Sequence, residues 1–477
     1  MLRLPSSLLV TATSTVLLCF QSPVLADWKD DVGFTDLQTA LGAATPDGTG
    51  IEVRQIEANA GADPVFSYLA NSADPQFSGK TITDGSGLST GPSSHADGVG
   101  QVFYGNSSSI APGVTQITGY DANDWITGEL NLGGGSPNVE TGRVQNSSWV
   151  GSAGSVAANE QILRRFDFQI DRDNYVSVIA VNNGAADTQS VLLSNSYNAI
   201  SVGLTSGGHN YGTTTVNGAG REKPDIVAPG LHPTRGSTAT SWATGMVSSA
   251  AAVLMEHAGA TGAAEPESMR AILMAGATKD DLGGAWGHTT TQPLDSTYGA
   301  GELNVFNSYY IVDGGEHEGS NNVAPGSLAP QSGWDYQTGF ASPGTTTRYY
   351  NFEVAAGELA SELSIILAWN AEVTDTTPGP AFTPSTSLAD MNLEFFDSTL
   401  SFLNTSLTES ISTVDNIEHI YMTGLGEGTY TLAVTSDIDR DFGLAWRMET
   451  STIPVPEPAA LGFLALSGLL LARRRTR

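Results

Sequence analysis

The sequence predicts an α/β domain with a mainly parallel sheet, followed by a small all-β sandwich. Three observations carry this. From residue 27 to about 310, short apolar runs alternate with 3.6-residue helical periodicity, the pattern of βα units whose crossovers leave their strands parallel. Residues 314–333 are rich in Gly, Asn, Ser and Pro and have the composition of a linker. Beyond them helical periodicity stops, and short alternating segments parted by turn residues remain, which read as an antiparallel sandwich.

In order along the chain, strands are expected at 51–56, 114–120, 143–148, 176–181 and 199–204, the strand-like segments that alternate with the helical patterns. Helices are expected at 95–104, 158–170, 240–257 and 267–275, where apolar residues recur every three to four positions. In the second half, strands are expected at 348–354, 362–369, 391–396, 419–423, 429–435 and 443–448. The resulting organisation is a signal peptide at 1–26, an α/β domain at 27–313, a linker at 314–333, a β-sandwich at 334–451 and a C-terminal signal at 452–477.

Both ends are legible. Arg3, an apolar run and the small-residue site Val24-Leu25-Ala26 make a secretory signal peptide with cleavage expected after Ala26. The single cysteine, Cys19, falls inside it, so the mature chain is expected to hold neither disulfide nor thiolate metal site. At the other end, Pro456-Glu457-Pro458 precedes the apolar run 459–472 and four arginines among the last five residues. That run is shorter than the roughly 20 residues of a stable span. It is expected to pause in the inner membrane with the arginines inside.

The chain carries 50 acidic against 20 basic residues, a net charge of −30. Such a surface repels nucleic acid and anionic lipid and suits a protein outside the cell. Nucleic-acid binding is therefore excluded as an expectation, and a monomer is expected.

Lys223-Pro224-Asp225-Ile226-Val227-Ala228-Pro229-Gly230, then Ala239-Thr240-Ser241-Trp242-Ala243-Thr244-Gly245 at the start of an alanine-rich helix, is the most informative stretch. A serine at a helix N-terminus lies beside unpaired N–H groups and the positive end of the dipole, where charge developing next to it is stabilised. Together these segments resemble the serine-nucleophile region of the subtilisin-like serine peptidases, the subtilases. Ser94-His95-Ala96-Asp97-Gly98-Val99-Gly100, followed by Ile110-Ala111-Pro112-Gly113, resembles the family's histidine segment. Val178-Ile179-Ala180-Val181-Asn182-Asn183-Gly184 resembles the strand that delivers its oxyanion asparagine. The C-terminal Pro-Glu-Pro segment is similar to the sorting signals that exosortases process.

The resemblance implies a subtilisin-like three-layer domain and a secreted serine endopeptidase. Ser241 would be the nucleophile, His95 the base, and Asn183 with the Ser241 N–H the oxyanion donors. Ser148 and Trp149 would lie near the pocket for the residue preceding the scissile bond. The family's aspartate position falls on Glu57, at the end of Ile51-Glu52-Val53-Arg54-Gln55-Ile56. A glutamate can hold the imidazole tautomer as well as an aspartate can. Asp63, in the following loop, is the competing acid, and a silent surface or matrix protein with a broken triad is the competing function. A second departure is Gly245, where the family carries proline.

The expected partners are a protein or peptide substrate, signal peptidase and an exosortase-type sorting enzyme, with final location at the cell surface, outer envelope or extracellular matrix. No cofactor is expected to be required. Family resemblance and abundant aspartate leave calcium open as a structural ion, although no loop has EF-hand spacing.

Overall fold

The computed structural model describes residues 27–452 except residue 63 and the segments 186–188, 323–325, 341–346, 377–378, 380 and 399–407. The segments expected to be a signal peptide and a C-terminal signal with its apolar run, residues 1–26 and 453–477, lie outside the described residues, as does Asp63. Among the described residues, no helix is long and apolar enough to cross a membrane.

Helices α1 (Trp28–Asp31) and α2 (Phe34–Leu41) lead into strand β1 (Glu52–Glu57). There follow β2 (Thr81–Asp84), α3 (Ser94–Phe103), β3 (Gln116–Asp121), α4 (Ala122–Thr127), β4 (Val144–Ser147), α5 (Val156–Asp173), β5 (Val176–Ala180), β6 (Ile200–Leu204) and β7 (Ile226–Ala228). Helices α6 (Thr240–Ala258), α7 (Pro266–Ala275) and α8 (Val305–Asp313) complete the first half. The strands form one seven-stranded sheet in the order β7-β6-β5-β4-β1-β3-β2, parallel at every pairing.

Strand alternation sorts the side chains to two cores. Val53, Val144, Val178 and Val202 join a cluster with α3 and α6, whereas Ile56 and Ile179 join one with Ile162, Phe166 and Ile170 of α5. The layers are therefore helix, sheet, helix, with both sheet faces covered, as parallel strands require. Every residue of α6 from Thr240 to Met255 is buried. Ala243, Ala250, Ala251 and Ala252 keep that central helix thin enough to be packed on all sides.

Gly245 has a packing reason. A Cβ there would stand 2.7 Å from Val102 Cγ2 and 3.2 Å from the Val99 carbonyl oxygen of α3, so the glycine is where the two helices meet. Gly245→Ala is expected to destabilise the fold by about 1–3 kcal/mol through overpacking. Urea denaturation measures this directly, and an unchanged midpoint would show that the contact relaxes freely.

The second half contains β8 (Ser332–Gln337), β9 (Thr347–Val354), β10 (Glu358–Ala368), β11 (Met391–Asp397), β12 (Glu409–Ser410), β13 (Ile417–Met422), β14 (Gly428–Ser436) and β15 (Phe442–Thr452). They form two four-stranded sheets, β8-β15-β10-β13 and β9-β14-β11-β12, all antiparallel. Their facing side chains, among them Phe352, Leu363, Leu393, Leu432 and Trp446, make a separate core. The described parts of 314–333 pair with this half, with bridges joining Glu316 to Trp334, Ser320 to Tyr349 and Leu328 to Asn351.

The two halves are packed together through α7. Trp334, Ile366, Ala368, Ile417 and Ala445 belong to the same buried cluster as α6 and α7. Buried Arg270 of α7 donates to the carbonyls of Tyr197 (2.8 Å) and Trp369 (2.7 Å), and Asn416 Nδ2 donates to the same two carbonyls. Glu267, at the start of α7, is 4% exposed and lines a cleft of about 310 Å³ with Asp171, Glu372, Asp439, Arg440 and Asp441. Burial pushes its carboxyl up to about 7. A raised carboxyl supports folding fully below the unfolded value of about 4.3, and that support is lost as pH climbs through 7. Glu267→Gln is therefore expected to raise stability at pH 8 by about 2–3 kcal/mol and to change little at pH 4. Thermal melts at the two pH values test this, and an equal shift at both would remove the titration as its cause.

Candidate active site

In a parallel sheet the carboxyl ends of all strands lie along one edge, and loops from separate strands can converge there. Glu57 ends β1, Ser148 follows β4, and Asn183 follows β5 by three residues. Ser241 approaches the same edge in the first turn of α6, and His95 in the first turn of α3, whose N-cap Ser93 accepts from Ala96 N–H.

The structure brings three of these side chains into one line. Glu57 Oε2 lies 2.7 Å from His95 Nδ1, and His95 Nε2 lies 3.1 Å from Ser241 Oγ. Glu57 is 1% exposed and Ser241 8%, whereas the His95 ring is half-buried. Burial alone would lower the His95 pKa, but the hydrogen bond to Glu57 and its charge outweigh that, and the net shift is upward. Arg235 opposes the rise through its charge. With Nδ1–H donated to the carboxylate, Nε2 of neutral His95 is the acceptor facing the serine hydroxyl.

The start of α6 carries no side-chain cap. Its N-cap residue is Ala239, so the first-turn N–H groups need other partners. Thr240 N–H donates to Asn183 Oδ1 at 2.9 Å. That contact fixes the Asn183 amide, since its oxygen must face the N–H and its Nδ2 turns away. Asn183 Nδ2 has no hydrogen-bond partner among the described residues, and Asn183 is exposed. The Ser241 N–H is the next donor along the same turn. The Ser241 backbone is held in turn: Ser148 Oγ lies 3.0 Å from the Ser241 carbonyl oxygen and 2.9 Å from Asn146 Oδ1, and Asn146 Nδ2 donates to Ser248 Oγ of α6.

Trp242, directly after the serine, packs its indole 5.4 Å from the His95 ring and edge-on to His232 at 5.0 Å. Arg235 stands over the same indole at 5.5 Å. Gly98 makes this arrangement possible, since a Cβ there would come within 2.6 Å of the indole carbons. His232 is structural: its Nε2 bonds the Gly98 carbonyl, and burial lowers its pKa. His209 is likewise structural. It is held between Leu204 N–H and the Thr297 carbonyl, and burial pulls it down to about 4.

Trp149 follows Ser148 just beyond the end of β4. It is 9% exposed and belongs to the α5-side cluster with Ile56, Ile179 and Leu192, on the opposite face of the sheet from His95. Ser148, one residue earlier, stays beside Ser241. Sequence reasoning also missed Gln55, whose amide touches Glu57, and Trp242 as the wall beside His95. Strand alternation was the available signal for Gln55, because it shares a face with Glu57 two residues on. Among the described residues, no group of three or more His, Cys, Asp or Glu side chains is placed to hold a metal ion.

Residues 90–301 match the model of the Subtilase family, Peptidase_S8. His95, Asn183 and Ser241 lie inside the matched span and Glu57 before it. The parallel sheet with flanking helices is the subtilisin-like fold, here joined to separate antiparallel sheets. No curated protein matches the chain. Among solved structures, it is similar to MycP1 with its N-terminal propeptide removed, at 14% identity and TM-score 0.37 over 59% of this chain and 96% of that one. Fervidolysin from Fervidobacterium pennivorans, a keratinolytic enzyme related to subtilisin, is similar at 14% identity and TM-score 0.39 over 82% and 60%. The serine-carboxyl proteinase Pseudomonas sedolisin is similar at 14% identity and TM-score 0.39 over 57% and 95%.

Proposed function

We propose that this chain is a serine endopeptidase working through a Ser-His-Glu triad and an acyl-enzyme. The observation that carries this reading is the continuous contact Glu57–His95–Ser241, at 2.7 and 3.1 Å, at the mouth of the α6 N-terminus. Ser241 Oγ attacks the carbonyl carbon of a peptide bond while His95 Nε2 takes its proton. The oxyanion is held by the Ser241 N–H and Asn183 Nδ2. Collapse breaks the C–N bond as His95 returns the proton to the leaving amine, and water, deprotonated by the same imidazole, then hydrolyses the ester. Glu57 fixes the tautomer and offsets the imidazolium charge.

The test is incubation of the mature protein with casein and, separately, with a serine-directed fluorophosphonate. Cleavage and labelling at Ser241 are expected. Absence of both, in folded protein with or without calcium, would leave a silent surface or matrix protein as the better reading.

The pH dependence follows from His95. The base must be neutral, and Glu57 raises its pKa above the ordinary value of about 6.5. kcat/KM is therefore expected to fall as pH drops through a limb lying above about 6.5. A limb well below that value would mean that another group titrates.

The same reading places the protein outside the cell, after export directed by residues 1–26 and processing of the Pro-Glu-Pro tail by an exosortase-type enzyme. The support is the signal-peptide pattern, the acidic composition, and an apolar run too short for a lasting anchor.

A further inference from the structure

Glu57 does not hold His95 unaided. Gln55 Nε2 donates to Glu57 Oε1 at 2.9 Å and to the Ala96 carbonyl at 3.0 Å. Tyr104 Oη, at the C-terminal end of α3, donates to Gln55 Oε1 at 2.5 Å. All three side chains are buried, Gln55 at 2% exposure and Tyr104 at 0%. The amide orientation is forced: turned over, its oxygen would face a carboxylate and a carbonyl, two acceptors with no proton between them. Burial keeps the Tyr104 hydroxyl well above its ordinary titration range, so it stays a donor.

The surrounding chain is cut to fit this row. A Cβ at Gly100 would stand 2.6 Å from Tyr104 Oη and 3.1 Å from Phe77, so that glycine makes room for the hydroxyl to reach the sheet. Gly119 sits opposite Gln55 in β3. Gln55 and Glu57 share a strand face two residues apart, which places amide and carboxylate side by side.

A buried amide in the middle of a sheet is costly to satisfy, and an apolar residue would pack there more simply. Its use lies in the glutamate. Relative to aspartate, Glu57 has one more rotatable bond, and a carboxylate held only by His95 would sample other rotamers. With Oε1 fixed by Gln55 and Oε2 by His95, both oxygens are committed. We propose that Gln55 and Tyr104 are positioning residues that lock the Glu57 carboxylate onto His95, so that the triad acts as a five-member row, Tyr104–Gln55–Glu57–His95–Ser241. The proposal rests on the triad reading above, yet it concerns contacts present in the resting protein.

The experiment therefore uses two readouts on the full mature chain. One is the His95 ring titration followed by NMR, which needs no activity; the other is the rate of Ser241 labelling by fluorophosphonate. Gln55→Met keeps the volume and removes the amide. Freed from Gln55, Glu57 spends less time on Nδ1, so the His95 titration is expected to move to lower pH. Labelling is expected to slow by about tenfold to a hundredfold, the size of one hydrogen bond to a charged group. Tyr104→Phe, which alters one oxygen atom and keeps the ring packing, is expected to shift both readouts the same way by less. A His95 titration unmoved in both folded variants would overturn the proposal. A titration that moves in a protein whose wild type never labels would uphold the row and overturn the peptidase reading instead.

Discussion

Replacing Ser241 with alanine is expected to lower the maximal rate of peptide hydrolysis by about 10⁶, the loss seen when the nucleophile of subtilisin is removed. The size follows from what the site loses. Without Oγ there is nothing at 3.1 Å from His95 Nε2 to accept an acyl group, and the base is left without a proton to take. The donors around the α6 N-terminus remain, so a residual rate about 10³–10⁴ above that of water alone persists. Ser241 is buried at the head of a helix, and among the described residues its hydroxyl is hydrogen-bonded to His95 and, at 3.5 Å, to the Ser148 carbonyl. The variant is therefore expected to fold as the parent does. Steady-state casein hydrolysis and fluorophosphonate labelling report the outcome. Undiminished cleavage by folded Ser241→Ala protein would put the nucleophile elsewhere.

Glu57→Gln is the second large effect, a fall in maximal rate of about 10²–10⁴ with the backbone unchanged. The cause is a tautomer. Gln55 Nε2 donates to position Oε1, so the new amide must keep its oxygen there and turn its own NH₂ toward His95 Nδ1. The imidazole then carries its proton on Nε2 and meets Ser241 as a donor, unable to take the hydroxyl proton. Glu57→Asp behaves differently from what the interchangeability of the two acids suggests. Shortening by one methylene withdraws the carboxylate by about 1.5 Å, turning a 2.7 Å contact into one beyond hydrogen-bond range. The aspartate variant keeps charge near the ring but not the bond, and its rate is expected between those of wild type and Glu57→Gln. Measured kcat for the two variants decides this, and an aspartate variant faster than wild type would mean the backbone follows the side chain.

Much of the α/β half could be read in the sequence because several of its strands are buried on both faces and are mostly apolar along their length. β5 reads Val-Ser-Val-Ile-Ala and β6 Ile-Ser-Val-Gly-Leu, and each helix from α3 to α7 except short α4 shows its periodicity. Helices α1, α2 and α8 did not stand out, since each is short and its burial comes from contacts distant in sequence, as between α2 and α8. The spacing of the motifs around His95, Asn183 and Ser241 was visible as a pattern, whereas the direction a side chain takes after a strand ends was not. Ser148 and Trp149 are adjacent, yet one reaches the Ser241 carbonyl and the other enters the core across the sheet. For Gln55, strand alternation offered the shared face with Glu57, but the contact with Tyr104 of the neighbouring helix segment was visible only in the fold.

The last strand, β15, has a consequence for how the molecule is made. It lies inside its sheet, between β8 and β10, and it is the strand whose Gly443 admits the backbone of α7, since a Cβ there would stand 2.4 Å from Ser268 N. A ribosome delivers β8 and β10 well before β15, and until residues 442–452 emerge those two strands have no partner to join them. The face of α7 that packs on β15 is left uncovered for the same interval, and with it the part of the core to which Ala445 belongs. The chain thus carries a delay written into its topology: the serine is synthesised about two hundred residues before the strand that completes the support beneath its helix.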